Sequence, residues 1–117
     1  MDEDKLATVW SWLFDADHVL EGLVALDGER PVGLAHYRGM PSPLRGGDIG
    51  FLDDLFVAPQ ARGQRVGEAM LDRLAEIARD RGWAAVRWLT ADDNYRARTL
   101  YDRRATKTTW NLYEMSG

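Results

Sequence analysis

Cysteine is absent from this chain, which excludes disulfides, thiolate metal sites and a thiol nucleophile. Histidine is almost absent: His18 and His36 are the whole supply, too few for a histidine-rich metal centre. No apolar run approaches the ~20 residues of a membrane-crossing helix, and the opening Met1-Asp2-Glu3-Asp4 carries the wrong charge for a signal peptide. A cytoplasmic protein without membrane association is expected. A basic excess is lacking too, since 15 Lys and Arg face 19 Asp and Glu for a net charge of -4, which argues against general nucleic-acid binding. Neither internal repeats nor low-complexity segments interrupt the chain. What is present is enough for one globular unit. The 117 residues, 45% hydrophobic with five tryptophans, fit a single domain spanning 1–117 with a real core.

The chain is organised around Leu55-Phe56-Val57-Ala58-Pro59-Gln60-Ala61-Arg62-Gly63-Gln64-Arg65-Val66-Gly67-Glu68-Ala69-Met70. It starts as a short apolar run that reads as a buried strand, stops at Pro59, crosses a basic loop and becomes a helix at Gly67. The first N–H groups of a helix lack intrahelical partners and carry the positive end of its dipole, so this geometry suits a phosphate. Gly63 and Gly67 admit a close backbone approach, and Arg62 and Arg65 add charge. The loop is not a nucleotide P-loop, because no Lys-Ser or Lys-Thr follows the second glycine. Nor do two glycines four apart make a dinucleotide fingerprint.

Residues 4–14 carry Leu6, Val9, Trp10, Leu13 and Phe14 at the spacing of a helix with one buried stripe, capped by Asp2 or Asp4. Two short strands, 19–26 and 31–37, flank Asp27-Gly28-Glu29-Arg30, a hairpin signal. Residues 40–48, with two prolines and two glycines, read as a loop, and 49–57 as a third strand. Helix 67–81 sets Met70, Leu71, Leu74, Ala75, Ile77 and Ala78 on one side and ends at Gly82. The run 83–90 reads as a strand covered on both faces and parallel to the third. A helix from Ala91-Asp92-Asp93-Asn94 to about Arg103 and an alternating strand over 108–115 complete an α+β chain.

The loop pattern on Arg62-Gly63-Gln64-Arg65-Val66-Gly67 resembles the pyrophosphate loop of the GNAT superfamily of N-acetyltransferases, with Arg65 standing where the pattern has its first glycine. Asn94, Ala97 and Tyr101 share one helix face and are similar to that family's Asn, Ala and Leu-Tyr arrangement. The resemblance implies a three-layer α/β/α fold with a mixed, mostly antiparallel sheet, and acetyl-CoA as cosubstrate. It implies that Leu55, Phe56, Val57, the loop Arg62 to Glu68, Asn94, Ala97 and Tyr101 hold the cofactor, the tyrosine pointing at its sulfur. Leu52-Asp53-Asp54-Leu55-Phe56-Val57 is similar to a Leu-Glu-Asp stretch in relatives that acetylate polyamines, which makes Asp53 the acidic catalytic candidate.

The chemistry gives each part a reason. An alkyl amine with a pKa of about 10 is nucleophilic in only about one molecule per thousand at pH 7, so neutralising it is worth roughly 4 kcal/mol. Asp53 or Asp54, sent by strand alternation to opposite faces, would take that proton directly or through water. A backbone N–H near Val57 would hold the developing oxyanion, and Tyr101 would protonate the departing thiolate.

GNAT domains normally begin with a strand and helix that this chain does not show, so strand 19–26 is expected to present an open edge and a homodimer to complete the sheet. Ala105 stands where the family has a glycine, and a left-handed cap there would cost about 1 kcal/mol. The leading expectation is an acetyl-CoA-dependent N-acetyltransferase acting on a small primary amine. The alternative is a truncated, non-catalytic module that only binds coenzyme A.

Overall fold

The computed structural model describes residues 2–117. Its elements are α1 (Glu3–Leu13), β1 (Glu21–Asp27), β2 (Arg30–Ser42), β3 (Gly47–Val57), a 3-10 turn (Pro59–Ala61), α2 (Val66–Arg81), β4 (Val86–Trp88) and α3 (Tyr95–Arg104). The four strands form one sheet in the order β1-β2-β3-β4, antiparallel except for the β3–β4 pair. This is the expected α+β arrangement, and the strand–loop–helix–strand unit at its centre is parallel as anticipated.

The sheet is built on two hairpins. Asp27 pairs with Arg30 across Gly28-Glu29, and Gly28 takes the left-handed conformation the tight turn needs (φ 63°). The second hairpin is longer than expected. Residues 40–48 are not one loop, because Met40↔Ile49, Pro41↔Asp48 and Ser42↔Gly47 remain in register and only 43–46 turn. Proline does not stop β2 here, since Pro41 lies close to the strand end and the tight loop supplies its own Gly46 at φ 65°.

α2 covers one face of this sheet. Its Met70, Leu71, Leu74 and Ile77 are buried against Ala35, Tyr37 and Leu52, each large apolar side chain contributing about 1.5–3 kcal/mol. Small residues let the helix sit low. A Cβ on Gly33 would lie 2.8 Å from the Met70 sulfur, and one on Gly50 would lie 2.6 Å from the Trp83 ring. The helix ends at Gly82 (φ 72°), where the Trp83 N–H bonds to the Ala78 carbonyl at 2.8 Å in a Schellman closure.

Trp83 is therefore a wedge beneath the sheet and not the start of a strand. β4 is only Val86–Trp88, partly buried, against the expected 83–90 covered on both faces. The strand expected over 108–115 does not form. Alternation alone cannot make a strand without a neighbour's ladder, and three-residue β4 offers almost no edge; Trp110, Leu112 and Met115 stand 72%, 73% and 91% exposed. Ala105 adopts an extended backbone (φ -148°), so the left-handed strain expected there does not arise.

α1 forms within a residue of its expected ends, with Asp2 accepting from the Lys5 N–H at 2.8 Å. Its apolar stripe is not buried. Leu6, Trp10 and Phe14 face outward, because α1 touches the sheet only near its end, where Leu13 approaches Gly22.

A candidate acyl-carrier and amine site

β3 and β4 part company early. Their pairing covers Gly50↔Val86, Phe51↔Arg87 and Leu52↔Trp88 and then stops, so the outer edge of β3 from residue 53 onward has no strand partner among the described residues. Just there β3 carries a bulge. Tyr37 pairs with Leu52 and His36 with Asp54, which leaves Asp53 as the extra residue. The extra residue cancels the alternation, and the two aspartates do not point to opposite faces as expected. Asp54 meets His36 (3.1 Å) and Asp53 meets the Arg38 guanidinium (3.1 Å), both partners standing on the face of β2 away from α2.

Beyond the bulge, the free edge of β3, the loop, the start of α2 and one side of α3 enclose a cavity of about 710 Å³. Leu55, Phe56, Val57, Arg62, Gly63, Arg65, Val66, Gly67, Glu68, Asn94, Ala97 and Tyr101 all line it. Gln64 does not, its N–H bonding instead to the Ala61 carbonyl. Asp53 also lies outside that lining.

The loop's glycine logic is divided among three positions. Gly63 is left-handed at φ 86°, with open space where a Cβ would be. Arg65, standing where the motif has glycine, keeps the left-handed backbone (φ 62°) at about 1 kcal/mol. The turn therefore retains its shape while adding a guanidinium. Gly67 serves packing, because a Cβ there would come within 3.0 Å of the Leu100 side chain and open the α2–α3 contact. Close contact between these helices sets the cavity's width.

Sequence reasoning missed Ala61, Arg96, Leu100, Arg103 and Arg104 among the lining residues. The basic end of α3 carried the signal. Arg104 bonds to Glu68 (3.0 Å) and Asp72 (2.8 Å), and Arg103 to Glu68 (3.0 Å), tying α3 to the first turns of α2. The Arg104 hydrogen bond is the main reason the Glu68 carboxyl is held below its ordinary value. The pair thus neutralises a carboxylate that would otherwise repel an anion at this helix start. Asn94 caps α3, its side-chain oxygen accepting from the Ala97 N–H at 3.2 Å. Tyr101 packs edge-on against Trp88 with ring centroids 5.3 Å apart, and burial pushes its phenol above the usual tyrosine value. At neutral pH it therefore carries the proton that a thiolate would need.

A helix start flanked by arginines, a strand edge free past residue 52 and a protonated tyrosine thus border one cavity. The chain belongs to the Acetyltransferase (GNAT) family, whose model matches residues 2–105. It is an N-acetyltransferase by family, and acetyl-CoA is that family's cosubstrate. It is 30% identical to the D-amino-acid N-acetyltransferase HPA3 of Saccharomyces cerevisiae over 119 residues, covering the whole of this chain and 74% of that protein. It is 31% identical over 103 residues to a thialysine N-epsilon-acetyltransferase of Caenorhabditis elegans, covering 84% of this chain and 64% of the relative. Among solved structures, a ribosomal-protein-alanine N-acetyltransferase from Brucella melitensis biovar Abortus 2308 superposes with a TM-score of 0.78 at 26% identity, covering 87% of this chain and 74% of that one.

Proposed function

We propose that this chain transfers the acetyl group of acetyl-CoA directly to the primary amine of a small molecule, with an amino acid or a diamine as the acceptor class. The observation that carries the reading is the joint lining of one cavity by the left-handed loop, the free β3 edge and Tyr101. The pyrophosphate is assigned to the N–H groups from Gly63 to Glu68 with Arg62 and Arg65, the pantetheine arm to Leu55, Phe56 and Val57, and its close passage to Asn94 and Ala97. Tyr101 protonates the leaving thiolate. Asp53 serves the acceptor side, where a carboxylate attracts an ammonium group. The yeast and nematode relatives are named for amino compounds that also carry a carboxylate, and Arg38, 40% exposed beside Asp53, supplies a cation for one.

The working form is a homodimer in the cytoplasm. β1 is an edge strand with Val24 and Leu26 more than half exposed, the surface a second copy would cover. The test is calorimetric titration with acetyl-CoA, with mass in solution measured on the same sample, followed by thiol release with lysine, D-phenylalanine and 1,5-diaminopentane. Saturable one-to-one binding by a dimer, with thiol released by at least one amine, is the expected result. Binding without thiol release from any amine would favour the non-catalytic module, and a monomer at micromolar concentration would remove the dimer.

A further inference from the structure

Asp53, the acidic candidate, is already engaged, since the Arg38 Nε donates to both of its carboxylate oxygens at 3.1 and 3.3 Å. One residue further along β3 the other aspartate does something different. Asp54 Oδ2 stands 3.1 Å from His36 Nδ1 across the β2–β3 pair, on the bulge that also ends the β3–β4 ladder. The His36 side chain is 16% exposed and Asp54 is 68% exposed. The imidazole is thus held in a fixed orientation by an anchor that itself remains wet.

The level of this pair in the sheet matters. Tyr101 packs on Trp88, Trp88 pairs with Leu52, and Leu52 adjoins the bulge whose far side is His36. Tyr101 lies with the α2 side of the sheet, in contact with its core, whereas His36 alternates with the buried Ala35 and Tyr37 and so stands on the opposite face. One strand, β3, lies between them, still paired with β2 at this level, and its other edge is open past residue 52. A thioester lying along that open edge beside Tyr101 and an amine held on the His36 face would approach each other across β3.

We propose that His36, oriented by Asp54, is the group that accepts the proton of the acceptor's ammonium ion. The inference rests on the acetyl-transfer reading above. A ring nitrogen whose partner N–H is held by a carboxylate is placed to accept a proton. Asp54 holding Nδ1–H leaves Nε2 as the acceptor, the division of labour of a carboxylate–histidine pair. The step balances. One ammonium proton passes to Nε2, the nitrogen lone pair forms the N–C bond to the acetyl carbonyl, the C–S bond breaks, the thiolate takes a proton from Tyr101, and the amide loses its second proton to solvent, which reprotonates the tyrosine. The imidazolium then releases its proton to water, for a net yield of amide, thiol and one proton.

The charged groups facing His36 are few. Asp54 is its ion-pair partner on β3, Arg38 with Asp53 lies two residues along β2, its β1 partner is Gly22, and α1 contributes Leu13 at that glycine. The test compares two amines at pH 7 and saturating acetyl-CoA: butylamine, almost wholly protonated, and 2,2,2-trifluoroethylamine, which is already neutral and needs no base. His36→Gln is expected to lower kcat/KM for butylamine about 100-fold and for the fluorinated amine less than about threefold. Asp54→Asn should show the same selectivity with a smaller loss, and both variants should bind acetyl-CoA like the unmodified chain, which separates lost chemistry from lost folding. Equal losses with the two amines, or no loss with butylamine, overturn the assignment of His36 alone. Failure of the unmodified chain to acetylate these two amines, lysine, D-phenylalanine and 1,5-diaminopentane alike overturns this proposal together with the reading on which it rests.

Discussion

The two faces of this sheet use their apolar side chains differently, although each buries some: Ile49, on the face away from α2, is 2% exposed. On the α2 face, glycines at 33, 39 and 50 let Met70 and Trp83 settle directly on the backbone, and Leu52 and Leu74 are each only 2% exposed. On the other face Val24 and Phe56 are more than half exposed, and α1 turns Trp10 and Phe14 outward. Apolar pattern alone does not make a core. Close approach does, and here it is set by missing Cβ atoms on one face and by the bulge with its charged pairs on the other.

Substitutions can break this contrast in graded steps. Gly67→Glu puts a carboxylate and a Cβ where Leu100 now lies 3.0 Å away, on the packed face and inside the cavity at once. It is expected to weaken acetyl-CoA binding by more than about 100-fold in calorimetry. Next comes Tyr101→Phe, which keeps the contact with Trp88 and removes only the phenol proton. Turnover should fall about 100-fold, while the KM for acetyl-CoA stays within about twofold.

The same variant carries a pH signature. Burial raises the phenol of Tyr101 above its unfolded value, so it contributes stability that is complete below pH ~10 and is lost as pH rises through the folded value. Melting of Tyr101→Phe should therefore decline less steeply above that pH.

The smallest effects sharpen the comparison between faces directly. Gly50→Ala forces a methyl to within 2.6 Å of Trp83 and is expected to cost about 1–3 kcal/mol in urea unfolding. Trp10→Ser, at a residue 62% exposed, should stay within about 0.5 kcal/mol under conditions where the chain is monomeric. If Trp10→Ser proved as costly as Gly50→Ala in the monomer, the two faces would not differ as described.

What was legible in the sequence follows the same division. The α2 face announced itself because helical period, a closing glycine and a turn glycine are local signals, and they placed α2 and the loop within a residue. Local signals also explain why twelve of the residues expected to hold the cofactor, on the loop, the strand before it and one face of α3, line one cavity. Asp53 and Asp54 were misassigned to opposite faces because a bulge depends on how two strands register, which one strand's residues do not show. The Arg103 and Arg104 lining was overlooked because their partners, Glu68 and Asp72, lie more than 30 residues away. Over 108–115 the alternation was real and its neighbour was lacking. A strand is a property of two segments, and β4 was too short to be the second.

The placement of the five tryptophans gives the chain a built-in optical readout. Trp10, Trp12 and Trp110 are open to solvent, whereas Trp83 lies wedged under the sheet and Trp88 rests against Tyr101. A dissolved quencher such as iodide would dim the first group more than the second. The emission that survives would come largely from two indoles, one sensing how tightly α2 is seated and the other what occupies the space beside Tyr101. Ligand arrival and helix loosening would thus be told apart in one cuvette, without attaching any dye.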